Sequence, residues 1–184
     1  MRESTPCGTP NPFVDISGSN PALASLTIGS NGSSTNFVDV QASGTLTTIN
    51  VDGTANIELI DTVGGAGMTA VNRLDAASAS GDIMATVDSP VLNMFMGAGD
   101  DTVTAAGAPA ATANWAGGTG ADTLDLAGFS TNTATISGFE TMVASGGNTI
   151  DFTNITEVDD LQVAGTVTLD NLGVGDIDDQ VTFA

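Results

Sequence analysis

The sequence predicts an all-β protein, a right-handed parallel β-solenoid (a β-roll or β-helix) built of short strands. Short alternating runs of Val, Ile and Leu are separated by Gly, Asn and Asp, which is the composition of strands and tight turns. Similar segments recur about every 20 residues. One coil cannot bury its apolar face alone, so this period predicts stacked coils that share a core. The alternative is an antiparallel sandwich, whose strand spacing would be less equal.

The chain divides into two regions. Four of the six prolines lie in residues 1–21, and we expect an extended lead-in there. Residues 22–184 form the predicted solenoid, apart from one stretch at 68–79 that could form a short helix. Strands are expected at 26–28, 37–40, 49–51, 57–59, 83–87, 91–96, 101–104, 122–126, 141–144, 149–152, 161–163, 167–169 and 180–183.

The repeats also predict which residues stack on one another. Met142 maps onto Leu161 at a shift of 19 residues, and Ile150 maps onto Leu169 at the same shift. We expect Val38 to map onto Ile57, again at 19. The segment 97–103 maps onto 118–124 at a shift of 21.

Charge narrows the range of partners. The net charge is −20, and the only basic residues are Arg2 and Arg73. Binding to nucleic acid or to an anionic membrane surface needs clustered Lys and Arg, so neither is expected. No apolar run approaches the roughly 20 residues of a membrane span. The available metal ligands are almost all oxygen atoms, which predicts a hard metal cation as the counter-ion. Cys7 is the only cysteine, so no intrachain disulfide can form.

Two Gly-rich segments carry a recognisable motif. Residues 117–125 fit G-G-x-G-x-D-x-U-x at every fixed position, and residues 96–104 fit except that Met96 replaces the first Gly. This pattern resembles the calcium-binding nonapeptide repeat of RTX proteins. Calcium requires six to eight oxygens, more than one such loop supplies. The 21-residue shift would place the two loops one coil apart, where they supply ligands together.

The resemblance implies a specific ligand set for Ca²⁺. The expected ligands are the carbonyls of Gly97, Gly99, Gly117 and Thr119 and the carboxylates of Asp101 and Asp122. Degenerate copies at 64–71 and 146–151 lack the Asp and are expected to be coil corners without metal. A cluster of Asp176, Asp178 and Asp179 is a weaker second candidate site.

A second resemblance covers residues 25–184 approximately. The segments 46–57, 136–142, 148–155 and 161–165 are similar to the repeats of bacterial S-layer proteins and large RTX adhesins. This implies a secreted protein of the cell surface, exported by type I secretion. No apolar signal-peptide core follows residues 1–4, so any export signal is expected elsewhere, or removed, and the chain could be a fragment.

The sequence predicts that the protein is not an enzyme. It has no His, Lys or Tyr, so acid–base catalysis would depend on Asp and Glu alone. We expect a structural calcium-binding module of an S-layer lattice or adhesin stalk, which assembles with calcium into sheets or filaments. Two alternatives stay open. One is a non-catalytic module of a secreted RTX enzyme. The other is a solenoid that binds a ligand such as cell-surface polysaccharide through outward rows of Thr45, Thr47 and Thr54.

Overall fold

The computed structural model describes residues 13–15, 23–40, 45–60, 68, 70–88 and 91–183. In this part of the chain every paired strand is parallel to its neighbours, and the chain coils repeatedly between two main sheets. The predicted parallel β-solenoid is therefore confirmed. The helical content of the described residues is a single 3-10 turn at Phe152–Asn154.

The long sheet has nine strands, each joined to the next by a full coil of the chain. In order along the sheet they are β1 (Phe13–Asp15), β3 (Asn36–Asp39), β5 (Ile57–Ile60), β7 (Ile83–Val87), β9 (Thr102–Ala105), β11 (Thr123–Asp125), β13 (Thr141–Ser145), β15 (Val158–Ala164) and β17 (Ile177–Phe183). β1 lies within the predicted lead-in, and it pairs with β3 as the first strand of this sheet.

The six-stranded sheet supplies the opposite wall, and a two-stranded sheet supplies a third wall near the last coils. The six strands are β2 (Ser25–Ser30), β4 (Thr48–Gly53), β6 (Arg73–Ala79), β8 (Asn93–Phe95), β10 (Asn114–Ala116) and β12 (Thr135–Ser137). The two others are β14 (Thr149–Asp151) and β16 (Thr168–Asp170). The short helix considered for 68–79 is wrong, because residues 73–79 form β6, which buries Leu74, Ala76 and Ala79 in the core.

Inward side chains stack in columns, since identical strand positions of successive coils lie above one another. The column of the six-stranded sheet is Ile49, Leu74, Met94, Trp115, Ile136 and Ile155. All six are buried. Full burial of one such side chain stabilises the fold by about 1.5–3 kcal/mol. The Trp115 indole N–H also donates to the Val91 carbonyl at 2.8 Å, so its polar atom is satisfied.

The strand registers test the predicted repeats. Met142 pairs with Leu161 and Ile150 with Leu169, which confirms the 19-residue shift in the last coils. Val103 pairs with Leu124, as the 21-residue shift predicts. The pairing of Val38 with Ile57 is wrong. Val38 pairs with Leu59 instead, because the coil from β3 to β5 is two residues longer than the apolar pattern suggested.

Candidate functional site

The candidate site is the corner at which the chain passes from the six-stranded sheet to the long sheet. Segments 97–101 and 118–122 form this corner in two successive coils, just before β9 and β11. Two backbone bonds join them: Thr119 N donates to Gly97 O at 2.9 Å, and Gly99 N donates to Thr119 O at 3.1 Å. The structure therefore places both motif loops on one edge, one coil apart, as the sequence predicts.

The motif glycines are required by this close stacking. Gly118 and Gly120 have φ values of 111° and 150°, in the region that favours glycine. A Cβ on Gly118 would overlap the carbonyl oxygen of Gly97, and a Cβ on Gly120 would overlap that of Gly99. Coil packing thus accounts for the glycines whether or not a metal is bound.

Asp101 is fully buried and accepts two backbone hydrogen bonds. Its exposed fraction is 0%. One carboxylate oxygen accepts from Ile83 N at 2.7 Å, and the other accepts from Gly97 N at 3.2 Å. The side chain therefore ties its own loop to the start of β7 in the preceding coil.

Asp122 is also fully buried, but only half of its carboxylate is satisfied. Its Oδ1 accepts from Asp101 N at 2.8 Å, whereas its Oδ2 is buried without a hydrogen-bond partner. The Asp122 N–H donates in turn to Glu140 Oε2 at 2.7 Å. Asp101, Asp122 and Glu140 therefore each accept a hydrogen bond from a backbone N–H of the preceding coil.

Burial raises the pKa of both carboxyl groups. The pKa of Asp101 rises to about 7, mainly through desolvation and in part through the charges of Asp122 and Asp82; its two backbone bonds oppose the rise. The pKa of Asp122 rises to about 6, again mainly through desolvation, with Glu140 and Asp100 adding to the rise against the bond from Asp101 N. Both groups therefore favour a proton or a cation over a bare negative charge.

No basic side chain in the described part of the chain supplies that positive charge to the corner. Arg73 lies on β6, where it forms an ion pair with Asp75 at 2.6 Å and lies 5.1 Å from the centre of the Phe95 ring. Arg2, the other basic residue, lies outside the described residues. A metal ion is a chemically suitable replacement, since it binds carboxylates and carbonyls together.

The oxygen supply at the corner fits a hard cation only if the backbone contributes. Among the described residues, no group of three or more Asp, Glu, His or Cys side chains converges as a metal site. The carbonyls of Gly97 and Thr119 each accept one inter-coil bond, which leaves each a lone pair. The carboxylates of Asp101 and Asp122, these two carbonyl oxygens and water are therefore the groups that would complete a calcium site at this corner.

Sequence reasoning missed a second, outer row of polar side chains at the same corner. Asp82 accepts from Asn56 Nδ2 at 2.8 Å and from Asp100 N at 3.0 Å. Asp100 accepts from Ala121 N at 3.0 Å. It also missed Glu140. The signal was the acidic residue directly before each strand of the long sheet from β7 to β17, which recurs from one coil to the next.

The other sequence candidates are placed as follows. Most of segment 64–71 lies outside the described residues. In segment 146–151, Asn148 is buried and donates to Phe129 O at 3.0 Å, so this is a hydrogen-bonded corner. Asp176 accepts from Gly173 N, and the side chains of Asp178 and Asp179 lie outside the described set.

The threonines proposed to form outward rows are placed differently from the expectation. The hydroxyls of Thr45 and Thr47 donate to Leu23 O at 3.2 Å and Ala24 O at 3.1 Å, so they join coils. A short row does exist on the outer face of the long sheet, where Thr102, Thr123 and Thr141 stack in register.

Comparison with known proteins finds no matching family model, no matching curated protein and no matching solved structure. Among the described residues there is also no helix long and apolar enough to cross a membrane.

Proposed function

We propose that this chain is a structural, calcium-binding module of a secreted cell-surface protein, of the kind that forms S-layer lattices or adhesin stalks. One observation carries the calcium assignment: two Gly-rich corners stack in register and bury Asp101 and Asp122 with no basic side chain of the described chain beside them. The rod-like coil stack suits a spacer or lattice unit. The composition supports a non-catalytic role, because His, Lys and Tyr are lacking.

Calcium binding can be measured by isothermal titration calorimetry on the wild-type chain and on a double variant, Asp101→Asn with Asp122→Asn. Asn keeps one oxygen, which can accept the Ile83 N–H at position 101 and the Asp101 N–H at position 122, and removes the charge. Of the backbone bonds only the one from Gly97 N is lost, so the variant should fold and lose at least tenfold in affinity. Asp52→Asn is the matched control, because Asp52 is an exposed carboxylate on β4, away from the corner. Equal calcium affinity in all three proteins would refute the assignment.

Self-association is the second part of the proposal. Apolar side chains are exposed on and before β17, including Phe183 at 78% and Val174, and exposed apolar groups of this kind favour association. Calcium would promote it by reducing the repulsion between highly acidic chains. We expect sedimentation velocity to show oligomers in millimolar calcium and a smaller species in chelator. A monomer in both solutions at high protein concentration would contradict this part of the proposal.

A further inference from the structure

The two buried Asp side chains of the corner differ in what they lack. Both carboxylate oxygens of Asp101 already accept backbone N–H groups, from Ile83 and from Gly97. Asp122 has one oxygen bonded to Asp101 N and the other buried without a hydrogen-bond partner. A buried charged oxygen without a partner has lost its hydration and gained no hydrogen bond in exchange, which is unfavourable. Asp122 is therefore the buried carboxylate that still lacks a positively charged or hydrogen-bonding partner.

The next coil brings a second carboxylate to Asp122. Gly138 lies beside Gly118, and Glu140 occupies the strand position that follows Asp122 in the stack. Glu140 Oε2 accepts the Asp122 N–H at 2.7 Å. Glu140 is half-buried, and its charge repels that of Asp122. Two carboxylates held together without a base are an arrangement that a cation stabilises.

The same coil leaves the corner open to solvent. Between the pairs Ala116–Ser137 and Thr123–Thr141 this coil has three residues, 138–140, where the preceding coil has six, 117–122, so nothing in it covers residues 119–121. Residues 118–121 are exposed, whereas the equivalent Gly97 and Gly99 are buried or half-buried. The backbone of residues 118–121 is therefore open to solvent beside the buried Asp122 carboxylate, while the space between the two Gly-rich loops is closed by backbone hydrogen bonds.

We propose that the cation is held chiefly by Asp122 and Glu140, one coil further along the solenoid than the sequence motif predicts. Backbone carbonyls of the exposed corner and water complete its oxygen ligands. Asp101 then has a positioning role, because it fixes its loop through Ile83 N and Gly97 N. This inference rests on the proposed function in assuming that a hard divalent cation binds this corner.

Calorimetric calcium titrations of single variants distinguish a site at Asp122 and Glu140 from the motif site at Asp101 and Asp122. Glu140→Gln retains an oxygen for the Asp122 N–H and should lower calcium affinity tenfold or more, as should Asp122→Asn. Asp101→Asn should lower it less than threefold. Asp125→Asn is the matched control on β11, where the carboxylate accepts from Ala127 N, and it should match the wild type. Wild-type affinity in Glu140→Gln with loss of binding in Asp101→Asn would overturn the inference and leave the proposed function standing. No calcium binding by the wild type would overturn both.

A second measurement follows the glutamate carboxyl groups of the wild-type chain directly. The chain contains four glutamates, at positions 3, 58, 140 and 157, so selective ¹³C-carboxyl labelling gives a simple NMR spectrum. Calcium should shift one of the four resonances strongly, and that resonance should be the one missing in Glu140→Gln. If the wild type binds calcium and none of the four resonances moves, the inference is wrong.

Discussion

At the scale of residues, one inward column changes its chemistry along the solenoid. Ile57 and Ile83 fill it in two coils, and Asp101, Asp122 and Glu140 follow in the next three. An isoleucine there contributes burial energy, whereas a buried carboxylate gains hydrogen bonds but loses solvation. The acidic stretch is therefore favourable only when a proton or a cation neutralises it.

Without calcium, acidification should stabilise the fold between pH 8 and pH 5. The folded pKa values of Asp101 and Asp122, about 7 and about 6, lie above the ordinary value of 3.8. The native state therefore binds protons that the unfolded chain does not, and this stabilisation is lost as the pH rises through the folded pKa values. The expected gain is on the order of a few kcal/mol. Urea unfolding in chelator at each pH measures it.

The double variant Asp101→Asn with Asp122→Asn is the control for this pH dependence. Carboxylates with ordinary pKa values titrate below pH 5, so they contribute little in this window. The variant should therefore show a nearly flat stability between pH 5 and pH 8. A wild-type chain that becomes more stable as the pH rises through this range in chelator would contradict the buried-carboxylate account.

The sequence predicts part of this site and not the rest. Asp101 and Asp122 stand in a motif with fixed spacing, so their pairing across coils could be predicted. Glu140 follows a shortened corner that keeps one glycine, Gly138, so the nonapeptide motif does not mark it. The unsatisfied oxygen of Asp122 depends on the hydrogen bonds of three coils, which sequence spacing does not specify.

At the scale of elements, the Gly-rich corners let adjacent coils approach closely enough to hydrogen-bond. We predict that Gly120→Ala destabilises the protein by about 2 kcal/mol or more, because its Cβ would overlap Gly99 O and φ is 150°. Gly146→Ala is the control, since its Cβ would meet nothing within 4 Å. It should change stability by less than about 0.5 kcal/mol. Chemical denaturation in chelator compares the two, and equal effects would contradict the stacking argument.

Strands with alternating large apolar residues were predictable, whereas some of the three-residue strands were not. β7 and β13 show clear alternation of buried and outward residues. β10 and β12 have three residues each with one large apolar side chain, and neither was expected. β14 and β16 are equally short, but the 19-residue repeat marks them. The alanines of β6 favour helix by intrinsic propensity, but pairing with β4 and β8 overrides that preference.

At the scale of the whole molecule, a continuous core must hold together a chain of net charge −20. The core columns of the two main sheets run the length of the stack, so each coil depends on its neighbours for burial. Charge repulsion opposes this compact state, and ions bound only by the folded chain oppose the repulsion. Calcium at the corner would therefore stabilise the solenoid as a whole.

Thermal unfolding in calcium and in chelator tests that central claim most directly. At a hundredfold excess of calcium over its Kd, binding to the native state alone adds about 2.7 kcal/mol of stability. For a chain of this size we expect the Tm to rise by at least about 5 °C. The rise should be lost in Asp122→Asn and kept in Asp52→Asn. Superimposable wild-type melting curves in calcium and chelator would contradict the account.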